Sequence, residues 1–182
     1  MSNRQIIRSS STSNAEIREL LQGIFAAELL CPSRQLWVVS PWLSDIELVD
    51  NRSGAFASLD PQWGSRQIRL VEMLGRLLEL GTQVIIATRP DSHNESFLRK
   101  LEDISSAAGN RSRLSVHRLP TLHTKGILGD DFYISGSMNI TFNGVEVLEE
   151  GLLFTTEAES VANARIAFLD GYKVDGVSEG NA

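Results

Sequence analysis

Two short, unbroken apolar runs constrain this chain most: QLWVVS at residues 35–40 and QVIIAT at residues 83–88. Both are rich in β-branched residues and neither alternates with polar ones. Each therefore predicts a strand covered on both faces. Such strands need helices above and below, and the sequence around them supplies the pattern. In RQIRLVEMLGRLLELG (66–81), Ile68, Val71, Leu74, Leu77 and Leu78 share one face, and Gly81 is a helix stop. DSHNESFLRKLEDISSAAG (91–109) reads as a helix with Phe97, Leu101 and Ile104 inward. Upstream, SNAE (13–16) reads as a capping box before Ile17, Leu20, Leu21, Ile24 and Phe25, in a helix ending near Pro32. RLSVHRL (113–119) and EGLLFT (150–155) read as strands, and EAESVANARIAFLDGYK (157–173) as a closing helix. The order predicts an α/β fold: a mixed β-sheet flanked by helices on both faces.

The chain of 182 residues, 42% of them hydrophobic, is long enough for one domain with a real core. That domain is expected over 13–173, between polar, flexible tails at 1–12 and 174–182. A formal net charge of −6 argues against a general nucleic-acid coat and leaves room for a local basic cleft. Cys31 is the single cysteine, so no intrachain disulfide can form, and it reads as a small buried or half-buried residue. The N-terminal segment is polar, and no apolar run approaches the roughly 20 residues that span a bilayer. The expectation is a cytoplasmic protein with no membrane partner. Residues 50–65 lack a period and are rich in breakers, which suits a binding element or lid as well as a surface excursion.

The stretch TLHTKGILGDDFYISGSMN (121–139) carries the chemistry. It reads as two strands around a Gly129-Asp130-Asp131 turn. On a strand, His123 and Lys125 would share a face about 6.6 Å apart. Ser137 and Asn139 would face them from the partner strand, and Gly136 would leave room for close approach. An imidazole, an ammonium, a hydroxyl and an amide around one small space suit a phosphate ester. The imidazole can attack phosphorus while Lys125 and Asn139 donate to the charged oxygens. No carboxylate cluster is placed to hold a metal, so no metal and no cofactor is expected.

This pattern, His123, Lys125, Asp130, Gly136, Ser137 and Asn139, resembles the HKD motif of the phospholipase D superfamily, with one residue fewer than usual between the Asp and the Gly. The resemblance extends through LWVVSPWLSD and LVEMLGRLLELGTQVIIATRP, over roughly residues 15–173. It implies His123 as the nucleophile, Lys125 and Asn139 as phosphate ligands and Ser137 as a supporting hydroxyl. Glu150 would orient the histidine, and Asp130 or its neighbour Asp131 would support the turn. Trp42, after the first strand, would line the pocket. The family's reaction needs two histidines, one attacking and one protonating the leaving oxygen. With one motif per chain, the resemblance implies a homodimer whose two His123 side chains meet on a two-fold axis.

Single-motif members of this size imply a nuclease acting on DNA. Arg89, Arg113 and Arg118 are the expected substrate contacts, with Arg99, Lys100 and Arg111 in the same basic set. A narrower resemblance, to phospholipase-D-like components of clusters that place 7-deazaguanine in DNA, implies partner proteins of a DNA-modification, restriction or anti-phage system. Two other classes stand beside it. One is a lipid-directed phospholipase or transphosphatidylase, for which no strongly basic amphipathic helix is found. The other is a non-catalytic member that holds DNA or a partner protein.

Overall fold

The structure, a computed structural model, describes residues 3–7, 15–147 and 151–172. The apolar runs at 35–40 and 83–88 form central strands of a seven-stranded sheet: β2 (Gln35–Val39) and β5 (Gln83–Thr88) pair in parallel. β6 (Leu114–Arg118) extends the parallel half at one edge. On the other side of β2 the sheet turns antiparallel. β7 (Gly126–Leu128) pairs with β2, β8 (Tyr133–Gly136) with β7, and β9 (Gly151–Thr155) with β8. β1 (Asn3–Ile7) closes this edge against β9, giving the order β1-β9-β8-β7-β2-β5-β6. The sheet is mixed, as expected. The tail expected over residues 1–12 is corrected at Asn3–Ile7. This segment, NRQII, is too polar to read as a strand, yet an edge strand needs only one apolar side chain on the core, here Ile6.

The alternation of β2 and β5 sorts their side chains onto two cores. Leu36, Val38, Val84 and Ile86 face one, with α1 (Ala15–Leu30), α2 (Leu70–Glu79) and α3 (Ser92–Ala107). Trp37, Val39, Ile85 and Ala87 face the other, where α4 (Ala158–Gly171) contributes Val161, Ala164 and Phe168. Helices thus cover both faces. The helix expected over 66–81 begins later. Its first residues form β4 (Gln67–Arg69), which pairs with β3 (Glu47–Asp50) in a small antiparallel sheet. Ser13 of the expected capping box lies outside the described residues.

The long excursion between β3 and β4 is pinned to the core. Buried Asn51 donates from Nδ2 to the Gly64 carbonyl (2.7 Å), and its Oδ1 accepts from the Phe56 amide (2.7 Å). Trp63 is buried beneath it. Cys31, expected to be at least half-buried, is exposed just past the end of α1. Among the described residues, no helix is long and apolar enough to cross a membrane.

Candidate active site

In parallel α/β sheets, crevices open beyond the carboxyl ends of the strands. Here β2 ends at Val39 and runs into Ser40-Pro41-Trp42, while β5 ends at Thr88 and runs into Arg89. One buried side chain, Asn94 in the first turn of α3, joins these two exits. Its Nδ2 donates to the Pro41 carbonyl (2.9 Å), Thr88 Oγ1 (2.8 Å) and the Arg89 carbonyl (2.9 Å). Its Oδ1 accepts from the Leu43 amide (2.7 Å).

Both halves of the motif are anchored to this scaffold. Arg89 Nε donates to the carbonyl of Leu122, the residue before His123 (2.7 Å). Ser40 Oγ lies 3.4 Å from Asn139 Oδ1 and accepts from the Ile140 amide (3.2 Å). The Ser44 amide donates to the Ile140 carbonyl (2.9 Å), which ties the same segment to the chain after β2. Behind Asn139, a π-helical turn (Asn143–Val147) packs so closely that a Cβ on Gly144 would sit 2.2 Å from the Asn139 carbonyl oxygen.

The alternation argument for His123 and Lys125 is corrected. Both precede β7, in an irregular stretch after Pro120, rather than lying on a strand. What holds them together is local: Lys125 Nζ donates to the His123 carbonyl (2.7 Å). His123 is exposed and Lys125 is half-buried. Gly136, the residue after the Ser135 that pairs near Lys125 in the register Gly126↔Ser135, must lack a side chain. A Cβ there would lie 2.0 Å from the Gly151 carbonyl oxygen. Ser137 is fixed to the same glycine: its amide donates to the Gly151 carbonyl and its Oγ accepts from the Gly151 amide, both at 3.0 Å.

Other expected site residues fall elsewhere. Asp130 sits at the far end of the β7–β8 hairpin, where its Oδ2 accepts from the Arg34 amide (3.0 Å) and Nε (3.1 Å) and Oδ1 lies 3.4 Å from Arg165. Burial opposes its charge, but the Arg34 bonds outweigh burial and hold this carboxyl below its ordinary range. The Asp130 carboxylate thus joins this turn to Arg34, just before β2, and Asp131 is exposed beside it. Arg113 precedes β6 at the opposite end of the sheet, bonded to Asn110 Oδ1 (2.7 Å). That end is about 13–17 Å from the strands' carboxyl ends, so Arg113 is not at the crevice. Arg118 ends β6 on the crevice side, 3.6 Å from Glu95. Arg111 and Lys100 are engaged by Glu102 and Asp45. Glu150 lies outside the described residues.

Trp42 follows the end of β2 and is partly exposed. It lines a cleft of about 360 Å³ together with Asn139, Ser44, His93, Phe142 and Asn143. The Arg89 guanidinium lies over its ring, 5.1 Å from the centroid, and its Nε1 donates to Asp91 Oδ2 (3.2 Å). Ser40 and Asn94 were not found in the sequence. No local pattern marks them, because each acts on residues 51 to 100 positions away or across a helix start. Among the described residues, no three His, Cys, Asp or Glu side chains gather so as to hold a metal ion.

Neither a protein-family model nor a curated protein matches the sequence. Solved structures do. NucT from Helicobacter pylori superimposes with a TM-score of 0.59 at 15% identity, over 92% of this chain and 93% of that one. Nuc from Salmonella typhimurium, a phospholipase D family member, gives 0.57 at 10% identity, over 94% and 93%. A phosphatidylserine synthase from Haemophilus influenzae gives 0.55 at 14% identity, over 94% of this chain and 38% of that one. The mixed sheet flanked by helices is thus a phospholipase D-type fold.

Proposed function

We propose that this chain, built on the phospholipase D fold and carrying a histidine and a lysine at its crevice, is a metal-independent phosphodiesterase that hydrolyses DNA. The observation that carries the proposal is the pairing of an exposed His123 with Lys125 through a 2.7 Å bond, on a segment anchored to the same strand exits as Asn139.

In the proposed reaction an imidazole nitrogen of His123 attacks phosphorus and the bond to the leaving oxygen breaks. A phosphohistidine forms, and the leaving oxygen takes a proton from the second His123, supplied by the partner in a homodimer. Water then gives a proton back to that imidazole and attacks phosphorus, releasing His123 and the phosphate product. Lys125 and Asn139 donate to the non-bridging oxygens, where charge accumulates. Glu150 orients the nucleophilic ring. Length and layout support a place beside partner proteins of a DNA-modification, restriction or anti-phage system.

The test is incubation with labelled single- and double-stranded DNA in EDTA. Cleavage that survives chelation and disappears in His123→Ala supports the proposal. Release of choline from vesicles without DNA cleavage would replace it with the lipid reaction. A gel shift with neither activity would leave a DNA-holding role. Light scattering should show a dimer at micromolar concentration, and a monomer that still cleaves DNA would refute the shared site.

A further inference from the structure

Tryptophan and phenylalanine are uncommon on a water-facing surface without a reason, and this cleft has one of each. Phe142 is 63% exposed and Trp42 36% exposed, and both line the cleft that contains Asn139. Asn139 and Phe142 are separated by only Ile140 and Thr141, both on the segment pinned by Ser44 and Gly144. Trp42 is held by its bond to Asp91 and by the Arg89 guanidinium. The aromatic groups are therefore fixed relative to the phosphate-binding amide. Between them, Ser44, His93 and Asn143 offer hydroxyl, imidazole and amide groups. Flat apolar surfaces with hydrogen-bonding groups between them match a nucleobase, which has an apolar face and a polar edge. Ser44 Oγ and His93 Nε2 already bond each other at 2.9 Å, so Asn143 and the remaining capacity of the hydroxyl are what face a base edge, and a phospholipid tail would engage neither.

Resting on the proposed function, we infer that the Trp42–Phe142 cleft takes an unstacked base of single-stranded DNA adjacent to the phosphate under attack. A base in a duplex is already stacked on its neighbours and cannot enter without being pulled out, which costs free energy that a single strand does not pay. Base–aromatic stacking tolerates every base, so the cleft selects single strands without selecting sequence. Next to it, a second cleft of about 390 Å³ shares Ser44, His93 and Phe142 and adds Arg18, Arg69 and Lys100. Asp45 and Glu47 line it too, so its balance is three cations to two carboxylates. A strand leaving the aromatic cleft that way meets a weakly positive wall.

The three tryptophans make the test direct. Trp37 and Trp63 are 0% and 4% exposed, so quenching of tryptophan fluorescence by a bound base reports Trp42. Full-length protein is titrated in EDTA with a single-stranded DNA oligonucleotide, its duplex, and an abasic strand of equal length. The single strand should quench and bind most tightly. The abasic strand has the same phosphates but should not quench. Phe142→Ala, which trims an exposed side chain and leaves the core intact, should weaken single-strand binding about 5- to 150-fold, the range for one base–aromatic stack. Trp42→Phe should abolish quenching and lose less affinity than Trp42→Ala. Equal binding of single strand, duplex and abasic strand, or Phe142→Ala within twofold of the parent, would overturn the inference. Absence of any DNA binding would overturn it also. Cleavage measured in parallel separates the two claims: equal cutting of both DNA forms sinks the base cleft alone, whereas tight, quenching binding without cutting sinks the phosphodiesterase.

Discussion

Asn94→Ala should loosen the crevice and destabilise the whole domain, and the cost can be worked from the bonds its side chain makes. Four hydrogen bonds leave one fully buried amide. After truncation, the Pro41 carbonyl still accepts from Thr88 Oγ1 (3.1 Å), and the Arg89 carbonyl still accepts from the Asp91 amide (2.9 Å). The buried Leu43 amide is left without its partner. One orphaned buried donor costs about 1–3 kcal/mol, and the three remaining bonds are worth about 1 kcal/mol each, so the loss should be about 4–6 kcal/mol. For a chain of 182 residues this lowers Tm by roughly 8–24 °C. Asn94→Asp discriminates further. The carboxylate keeps the Leu43 bond but turns an oxygen toward the carbonyls of Pro41 and Arg89, so its protonated form is favoured in the folded state. A raised folded-state pKa gives stability that is present at low pH and lost as pH rises. The variant should therefore be more stable at pH 5 than at pH 8, relative to wild type. Urea unfolding followed by circular dichroism measures both. A loss under 1 kcal/mol in Asn94→Ala would show that this amide does not hold the strand exits together.

Gly136→Ala places a Cβ 2.0 Å from the Gly151 oxygen and strains both Ser137–Gly151 bonds, so it should cost about 2–4 kcal/mol in urea unfolding and lower turnover with it. Lys125→Ala should abolish DNA cleavage while lowering stability in urea unfolding by only about 1–2 kcal/mol, since its Nζ bond to His123 is to a local carbonyl; unfolding of this variant would make the lysine structural. Glu28 gives a pH signature. Burial raises its pKa from the ordinary 4.5, and the bonds from Ser33 only partly offset this. Its contribution to stability is present below about pH 4.5 and lost as pH rises through the raised value. Glu28→Gln should flatten that decline in thermal melts between pH 4.5 and 7, and an unchanged slope would refute the assignment.

The parts of the fold that could be read ahead of the structure are those where burial repeats along the chain. β2 and β5 announce themselves because both faces are covered, and α2 and α3 because their inner faces recur at helical spacing. β1 could not be read so, since three of its five residues are polar and it is an edge strand. At the site, residue types and spacing pointed to His123, Lys125 and Asn139, but the strand geometry expected for His123 and Lys125 is not what the structure has. The hairpin was expected to start early enough to include His123, whereas pairing begins at Gly126 and a bond to the backbone takes over. Arg113 was misplaced for a related reason: charge type is visible in sequence, but which end of a parallel strand it occupies matters only once the sheet is built. Ser40 and Asn94 act through contacts between distant segments, and a linear reading has no pattern for those.

β1 pairs with β9 across 152 positions, from Asn3 to Thr155. During synthesis the first strand to emerge must wait for nearly the last before it has anywhere to dock. Until then β1's partner does not exist, and β1 offers its unpaired side to any other chain nearby. Crowding of nascent chains on one message should therefore favour exchange of this strand between copies, and slow translation or dilute refolding should suppress it.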